Sequence, residues 1–99
     1  MIFVGTDIVP IIRIENLIKE KGKRFLDHIY TKLEQNVCNT KKSPFIHYSG
    51  KFAAKEAVKK ALLSSKVTKD ISLVSIEIQN DDDGTPLVQI PQEIIKYEQ

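Results

Sequence analysis

A small α+β domain, with an antiparallel-type sheet packed against one long helix and several shorter ones, is predicted by three observations. A β-branched apolar run occupies residues 2–9 (IFVGTDIV). Apolar residues recur at helical spacing through much of 11–63, the longest stretch lying from Ser43 onward. Two strand-like segments then flank an Asp83-Gly84 turn. Ninety-nine residues fit one domain, 1–99. An apolar fraction of 41% makes its core possible but thin, so self-association or a bound ligand would help it.

Taken in order, residues 2–9 read as a strand. Asp7 is the anomaly within it, because an acid in a buried strand is costly unless paired or metal-bound. Pro10 ends the ladder. Residues 11–20 form a helix with Ile14, Leu17 and Ile18 on one stripe that reaches back to Ile11, and Gly22 breaks it. A second helix over 23–35 carries Phe25, Ile29 and Leu33 at i, i+4, i+8. Residues 36–42 lack periodicity and read as a loop. Ser43 can cap a helix and Pro44 suits its first position, so the longest helix runs from there to about Leu63. Gly50 sits inside it at a cost of about 1 kcal/mol relative to Ala, which predicts a close approach by something. After a linker at 64–70, residues 71–79 form a strand on which Val74, Ile76 and Ile78 alternate. Thr85–Ile90 returns as its partner, and Pro91 opens a short helix anchored by Ile94 and Ile95.

Fifteen basic and thirteen acidic residues leave a net charge of +2, mixed along the chain. Such a balance does not mark a nucleic-acid binder, yet it leaves room for a basic patch that meets phosphate or an acidic partner. Cys38 is the single cysteine and reads as an ordinary residue of a reducing compartment. The apolar run Ile2–Ile12 is interrupted by Asp7 and Pro10 and lacks a basic leader, so no signal peptide is expected and the cytoplasm is the expected location. No segment approaches the ~20 apolar residues of a membrane helix.

Three features can carry chemistry: Gly5-Thr6-Asp7, the helical stretch Gly50–Leu62, and Asp82–Pro86. Each has a plain reading beside a functional one. Asp7 caps a turn or binds a metal. Glu56 and Lys60, four apart, form a surface pair worth ~0.2–0.5 kcal/mol, or else Glu56 is a ligand. Lys51, Lys55 and Lys59 make a solvated stripe or hold phosphates. If Asp7 and Glu56 converge, they suit Mg²⁺, which takes one or two protein carboxylates and fills its other positions with water and phosphate oxygens. Asp81–Asp83 lack the alternating spacing of a calcium loop and read as a hairpin turn.

The residues G-T-D-I-V-P-I-I-R-I at 5–14 and S-G-K-F-A-A-K-E-A-V-K-K-A-L at 49–62 resemble holo-[acyl carrier protein] synthase, of the 4′-phosphopantetheinyl transferase superfamily. K-R-F-L-D-H-I-Y-T at 23–31 and I-E-I-Q-N-D-D-D-G-T-P at 76–86 are similar to further segments of that family, in the family's order. The resemblance implies transfer of phosphopantetheine from coenzyme A to a serine of acyl carrier protein, with adenosine 3′,5′-bisphosphate leaving, in fatty acid biosynthesis. It implies Asp7 and Glu56 as Mg²⁺ ligands and Asp7, Glu56 and Lys60 as the catalytic set. Lys60 would contact the coenzyme A phosphates. Lys51 stands where the family usually has Arg, so a phosphate contact there would lose the bidentate fork. Gly84 and Pro86 would lie against the nucleotide, and Arg13 and Arg24 would dock the acidic carrier protein. The family is typically a trimer with each active site at a subunit interface.

The family continues into a further strand with an S-x-S-H-like motif, so a fold lacking the usual C-terminal strand is expected here. The expectation is slow or absent transfer by these 99 residues and restored transfer on extension. A non-catalytic module that binds coenzyme A or a carrier protein is the competing reading. An RNA-binding domain is disfavoured, because clustered aromatics on a sheet face are absent.

Overall fold

The computed structural model describes residues 10–66 and 68–92. Helices α1 (Ile11–Lys21), α2 (Lys23–Ile29), α3 (Lys32–Asn39) and α4 (Pro44–Ser64) precede a 3₁₀ turn at Leu73–Ser75 and the strands β1 (Glu77–Asn80) and β2 (Pro86–Gln89). The strands pair antiparallel, Glu77 opposite Gln89 and Asn80 opposite Pro86. This is the predicted α+β arrangement of helices and an antiparallel hairpin. The strand expected at 2–9, Asp7 within it, and the helix expected after Pro91 with Ile94 and Ile95 lie outside the described residues.

Helix α1 ends where Gly22 takes φ +60°, a conformation that glycine adopts at little cost, and donates its N–H to the Ile18 carbonyl at 2.7 Å. Ile14 is buried as expected, but Ile11 is exposed, so the core stripe starts one turn later.

The helix expected over 23–35 is two helices. Tyr30 and Thr31 are extended, and Thr31 caps α3. Its hydroxyl accepts from the Glu34 N–H at 3.2 Å while Glu34 Oε1 accepts from the Thr31 N–H at 2.8 Å. This reciprocal capping box satisfies two donors that a helix start would otherwise leave open. The break resets the helical phase. Leu33, predicted as core, is 45% exposed, and Glu34, Gln35 and Cys38 turn inward instead. The cap also starts a helix that runs to Asn39 through half of the expected loop.

Helix α4 begins and ends close to the predicted positions, with Pro44 in its first turn, although the Ser43 side chain makes no cap bond. Two apolar clusters sit against it. One joins Ile14, Ile29, Tyr30, Cys38 and Tyr48, with Phe25 and Phe52 packed on it. The Tyr30 and Tyr48 rings meet edge-on at 4.8 Å, and the Tyr30 hydroxyl donates to the Tyr48 carbonyl at 2.8 Å. The other joins Ile71, Ile76 and Ile78 of the strand segment to Ala54, Val58 and Leu62 of α4. The expected strand over 71–79 is shorter because a 3₁₀ turn interrupts it at Leu73–Ser75. No helix among the described residues is long and apolar enough to cross a membrane.

Candidate functional site

A groove of about 640 Å³ opens between α3, α4 and the hairpin. Leu33, Val37 and Ile46 give it an apolar wall, and Gly50, Lys51, Gly84 and Pro86 line it from α4 and the hairpin. The structure therefore brings three of the predicted residues, Lys51, Gly84 and Pro86, to one place. Lys41 and His47 also line it. Neither was singled out from the sequence, although His47 stands one helical turn before Lys51 and so shares its face.

The loop that presents Gly84 is built from its own acids. Asp81 Oδ1 accepts from the Asp83 and Thr85 N–H groups at 3.1 and 3.0 Å. Asp83 Oδ1 accepts from the Thr85 hydroxyl at 2.7 Å. These bonds are those of a turn, as predicted. Gly84 takes φ +88°, which a side chain would strain.

The lysine stripe read as solvated or phosphate-holding turns two of its three members, Lys51 and Lys55, inward. Lys51 and Lys55 are buried, Lys55 completely. Lys51 Nζ donates to the Ile78 carbonyl at 2.7 Å, so its ammonium is turned to the backbone rather than offered to solvent. Lys55 Nζ pairs with Glu34 Oε1 at 2.7 Å and donates to the Leu73 carbonyl at 3.0 Å and to the Ile76 carbonyl. Burial lowers the pKa of Lys55, and the Glu34 hydrogen bond works against that shift. Glu34 Oε2 in turn accepts from the Ile78 N–H at 2.7 Å. The sequence held one sign of this: the T-x-x-E spacing of a capping box at Thr31–Glu34.

Gly50 has no close neighbour: a Cβ there would meet nothing within 4 Å among the described residues. No described part of the chain approaches this glycine, and its missing side chain leaves room in the groove.

Glu56 and Lys60 lie elsewhere on α4. Five residues along a helix turn it by roughly 140°, so Glu56 is directed well away from Lys51. Glu56 is half-buried and Lys60 exposed. Helix α1 packs along the first half of α4. Lys19 in its last turn lies over the Phe45 ring at the start of α4, at 5.7 Å, and Ile14 joins the cluster of Tyr48 and Phe52. Arg13 and Arg24 are exposed on α1 and α2. Arg24 lines a second groove with Leu17, Phe25 and His28.

Comparisons with known proteins agree with the motifs. A sequence model of the 4′-phosphopantetheinyl transferase superfamily matches residues 3–98. The holo-[acyl-carrier-protein] synthase of Protochlamydia amoebophila is 47% identical over 87 residues, 88% of this chain and 70% of that protein. That of Chlamydia muridarum is 40% identical over 97 residues, 96% of this chain and 74% of that protein. The crystal structure of a holo-(acyl-carrier-protein) synthase from Bacillus anthracis, in complex with CoA (3′,5′-ADP), superposes with a TM-score of 0.69 at 33% identity, over 86% of this chain and 71% of that one.

Proposed function

The chain belongs to the 4′-phosphopantetheinyl transferase superfamily, and on that footing we propose that it moves the phosphopantetheine arm of coenzyme A to a serine of acyl carrier protein, as a holo-[acyl carrier protein] synthase serving fatty acid biosynthesis in the cytoplasm. The observation that carries this reading is the groove in which Lys51, Gly84 and Pro86 meet, since these match the family's nucleotide-side positions. Its apolar wall suits an adenine face, and Lys41 and His47 bring cationic or hydrogen-bonding groups to phosphate.

Glu56 and Lys60 form the second half. Glu56 and Asp7 supply hard carboxylate oxygens of the kind Mg²⁺ prefers, and two protein carboxylates are enough for it. When bound there, Mg²⁺ would offset charge on the coenzyme A pyrophosphate. Lys60 adds a positive charge one turn beyond Glu56. The carrier serine oxygen gives up its proton to water or one of the acids and bonds to the phosphorus bearing the arm, the bond from that phosphorus to the bridging oxygen breaks, and adenosine 3′,5′-bisphosphate leaves with that oxygen. Positioning and charge stabilisation carry most of such a reaction.

The two halves point to different sides of α4. A coenzyme A held between the groove of one copy and the Glu56 face of a neighbour would engage both. This separation supports a homotrimer with active sites at its interfaces. Arg13 and Arg24, exposed on neighbouring helices, are the docking residues for the acidic carrier protein.

The test is transfer itself: purified chain, apo acyl carrier protein, coenzyme A and Mg²⁺, followed by the mass of the carrier protein. Gain of one phosphopantetheine group, at most slow with these 99 residues and restored when a family-like C-terminal strand is added, and lost in Asp7→Ala and Glu56→Ala, is the expected result. Binding of coenzyme A with no transfer would mark the chain as a non-catalytic module.

A further inference from the structure

Strand β1 has one edge paired with β2, and its other edge faces the helices. In an antiparallel pair, residues alternate between those that bond across the ladder and those whose N–H and C=O point away. Ile78 points away. Its N–H is taken by Glu34 Oε2 at 2.7 Å and its carbonyl by Lys51 Nζ at 2.7 Å. The carbonyl of Ile76, two residues back on the same edge, is taken by Lys55 Nζ. Side chains from α3 and α4 thus occupy the positions a third strand would fill.

We propose that Lys51 and Lys55 are positioning residues: a two-rung clamp that fixes the hairpin to α4 and so sets where Gly84 and Pro86 stand over the groove. This rests on the coenzyme A reading above and assigns Lys51 a role other than phosphate contact. The two lysines are one helical turn apart on α4, a rise of about 6 Å. The two carbonyls are two strand residues apart, about 6.8 Å. The spacings match, so each ammonium reaches one carbonyl of this edge, Lys55 reaching that of Leu73 as well. Both side chains are buried, with Lys51 only 7% exposed. An amine spent in this way holds the groove wall. Coenzyme A affinity then depends on Lys51 through the position of the hairpin, independently of any one phosphate.

Lys51→Met keeps the length and removes the donor. In the ligand-free protein, amide hydrogen exchange at Ile78 and through the Asp81–Thr85 turn speeds up several-fold or more, while exchange in the core helices α1 and α3 stays as in the parent. Calorimetric affinities for adenosine 3′,5′-bisphosphate, adenosine 3′-phosphate and adenosine 5′-phosphate all fall by one common factor, about tenfold for the loss of one positioning hydrogen bond. The KM for coenzyme A rises while kcat changes little. Unchanged exchange in the hairpin overturns the clamp, and so does a loss confined to ligands carrying one particular phosphate. If the parent protein binds none of the three nucleotides, the coenzyme A reading fails, and the exchange experiment still decides the clamp. Glu34→Gln/Lys55→Met, which removes both buried charges together, repeats the exchange test at the second rung.

Discussion

Glu34 of α3 and Lys55 of α4 form an ion pair at 2.7 Å with neither side chain accessible to solvent. Every remaining bond they make goes to backbone: Glu34 to the N–H groups of Thr31 and Ile78, Lys55 to the carbonyls of Leu73 and Ile76. The pair ties three elements at one point. Its members cannot be exchanged singly, because the survivor would be a buried charge without its partner. Lys55→Met or Glu34→Gln alone is expected to cost about 3–5 kcal/mol, and the double variant much less than the sum of the two. Urea unfolding of the four proteins as a double-mutant cycle measures this. Additive losses would mean that the pair does not act as a unit.

Thr31 is a second joint. Its hydroxyl caps α3 and also donates to Glu77 Oε2 at 2.6 Å. Thr31→Ala should lower stability by about 1–2 kcal/mol, the range for loss of an N-cap. Thr31→Ser keeps both bonds and should recover most of it in thermal unfolding.

How much of this was legible in the sequence follows from what periodicity reports. Gly22, Pro44 and Asp83-Gly84 punctuate the chain: α1 ends, α4 begins and the hairpin turns where they stand. Spacing along one helix does not say which partner a polar face meets. Lys51 and Lys55 read as solvated because their acceptors lie 27 and 21 residues away, on backbone carbonyls of the strand segment. The Phe25–Ile29–Leu33 stripe ignored the capping box that restarts the helix at Thr31. At the candidate site, motifs picked out Lys51, Gly84 and Pro86, but chemistry-bearing neighbours with no motif, Lys41 and His47, emerged only when α4 and the hairpin were brought together.

Gly50 makes the groove separable from the fold. With nothing near its would-be Cβ, Gly50→Ala should stabilise α4 by about 0.5–1 kcal/mol. The added methyl stands in the groove, so coenzyme A should bind more weakly to the more stable protein. Thermal unfolding and calorimetry on the same preparation check both signs.

Burial raises the pKa of the Cys38 thiol from about 9 to about 11, and that of Tyr48 to about 12. The unfolded chain therefore releases these protons at lower pH than the folded one. The stability that Cys38 contributes is fully present below pH 9 and is lost as pH rises through about 11, and that of Tyr48 is present below pH 10 and lost through about 12. Urea midpoints should fall across pH 9–11, and Cys38→Ala should fall less steeply over that window. At pH 7.5 the native thiol should react with maleimide only as fast as the protein opens.

Arg13 and Arg24 test the carrier-protein surface separately from the groove. Charge reversal at either, Arg13→Glu or Arg24→Glu, should raise the KM for acyl carrier protein at least several-fold and leave the KM for coenzyme A unchanged. The effect should shrink at high salt, since exposed charges are screened. An equal rise in both constants would place these arginines elsewhere in the reaction.

The measurement that bears most directly on the central claim is the intact mass of apo acyl carrier protein after incubation with this chain, coenzyme A and Mg²⁺, run beside the Glu56→Ala variant. The account predicts a carrier protein heavier by one phosphopantetheine group, formed at most slowly with the parent chain and faster once a family-like C-terminal strand is added, and an unchanged mass with Glu56→Ala in either form. A mass gain that Glu56→Ala retains in full would contradict the assignment of Glu56, and no gain with either the folded parent chain or its extended form would contradict the proposed transfer.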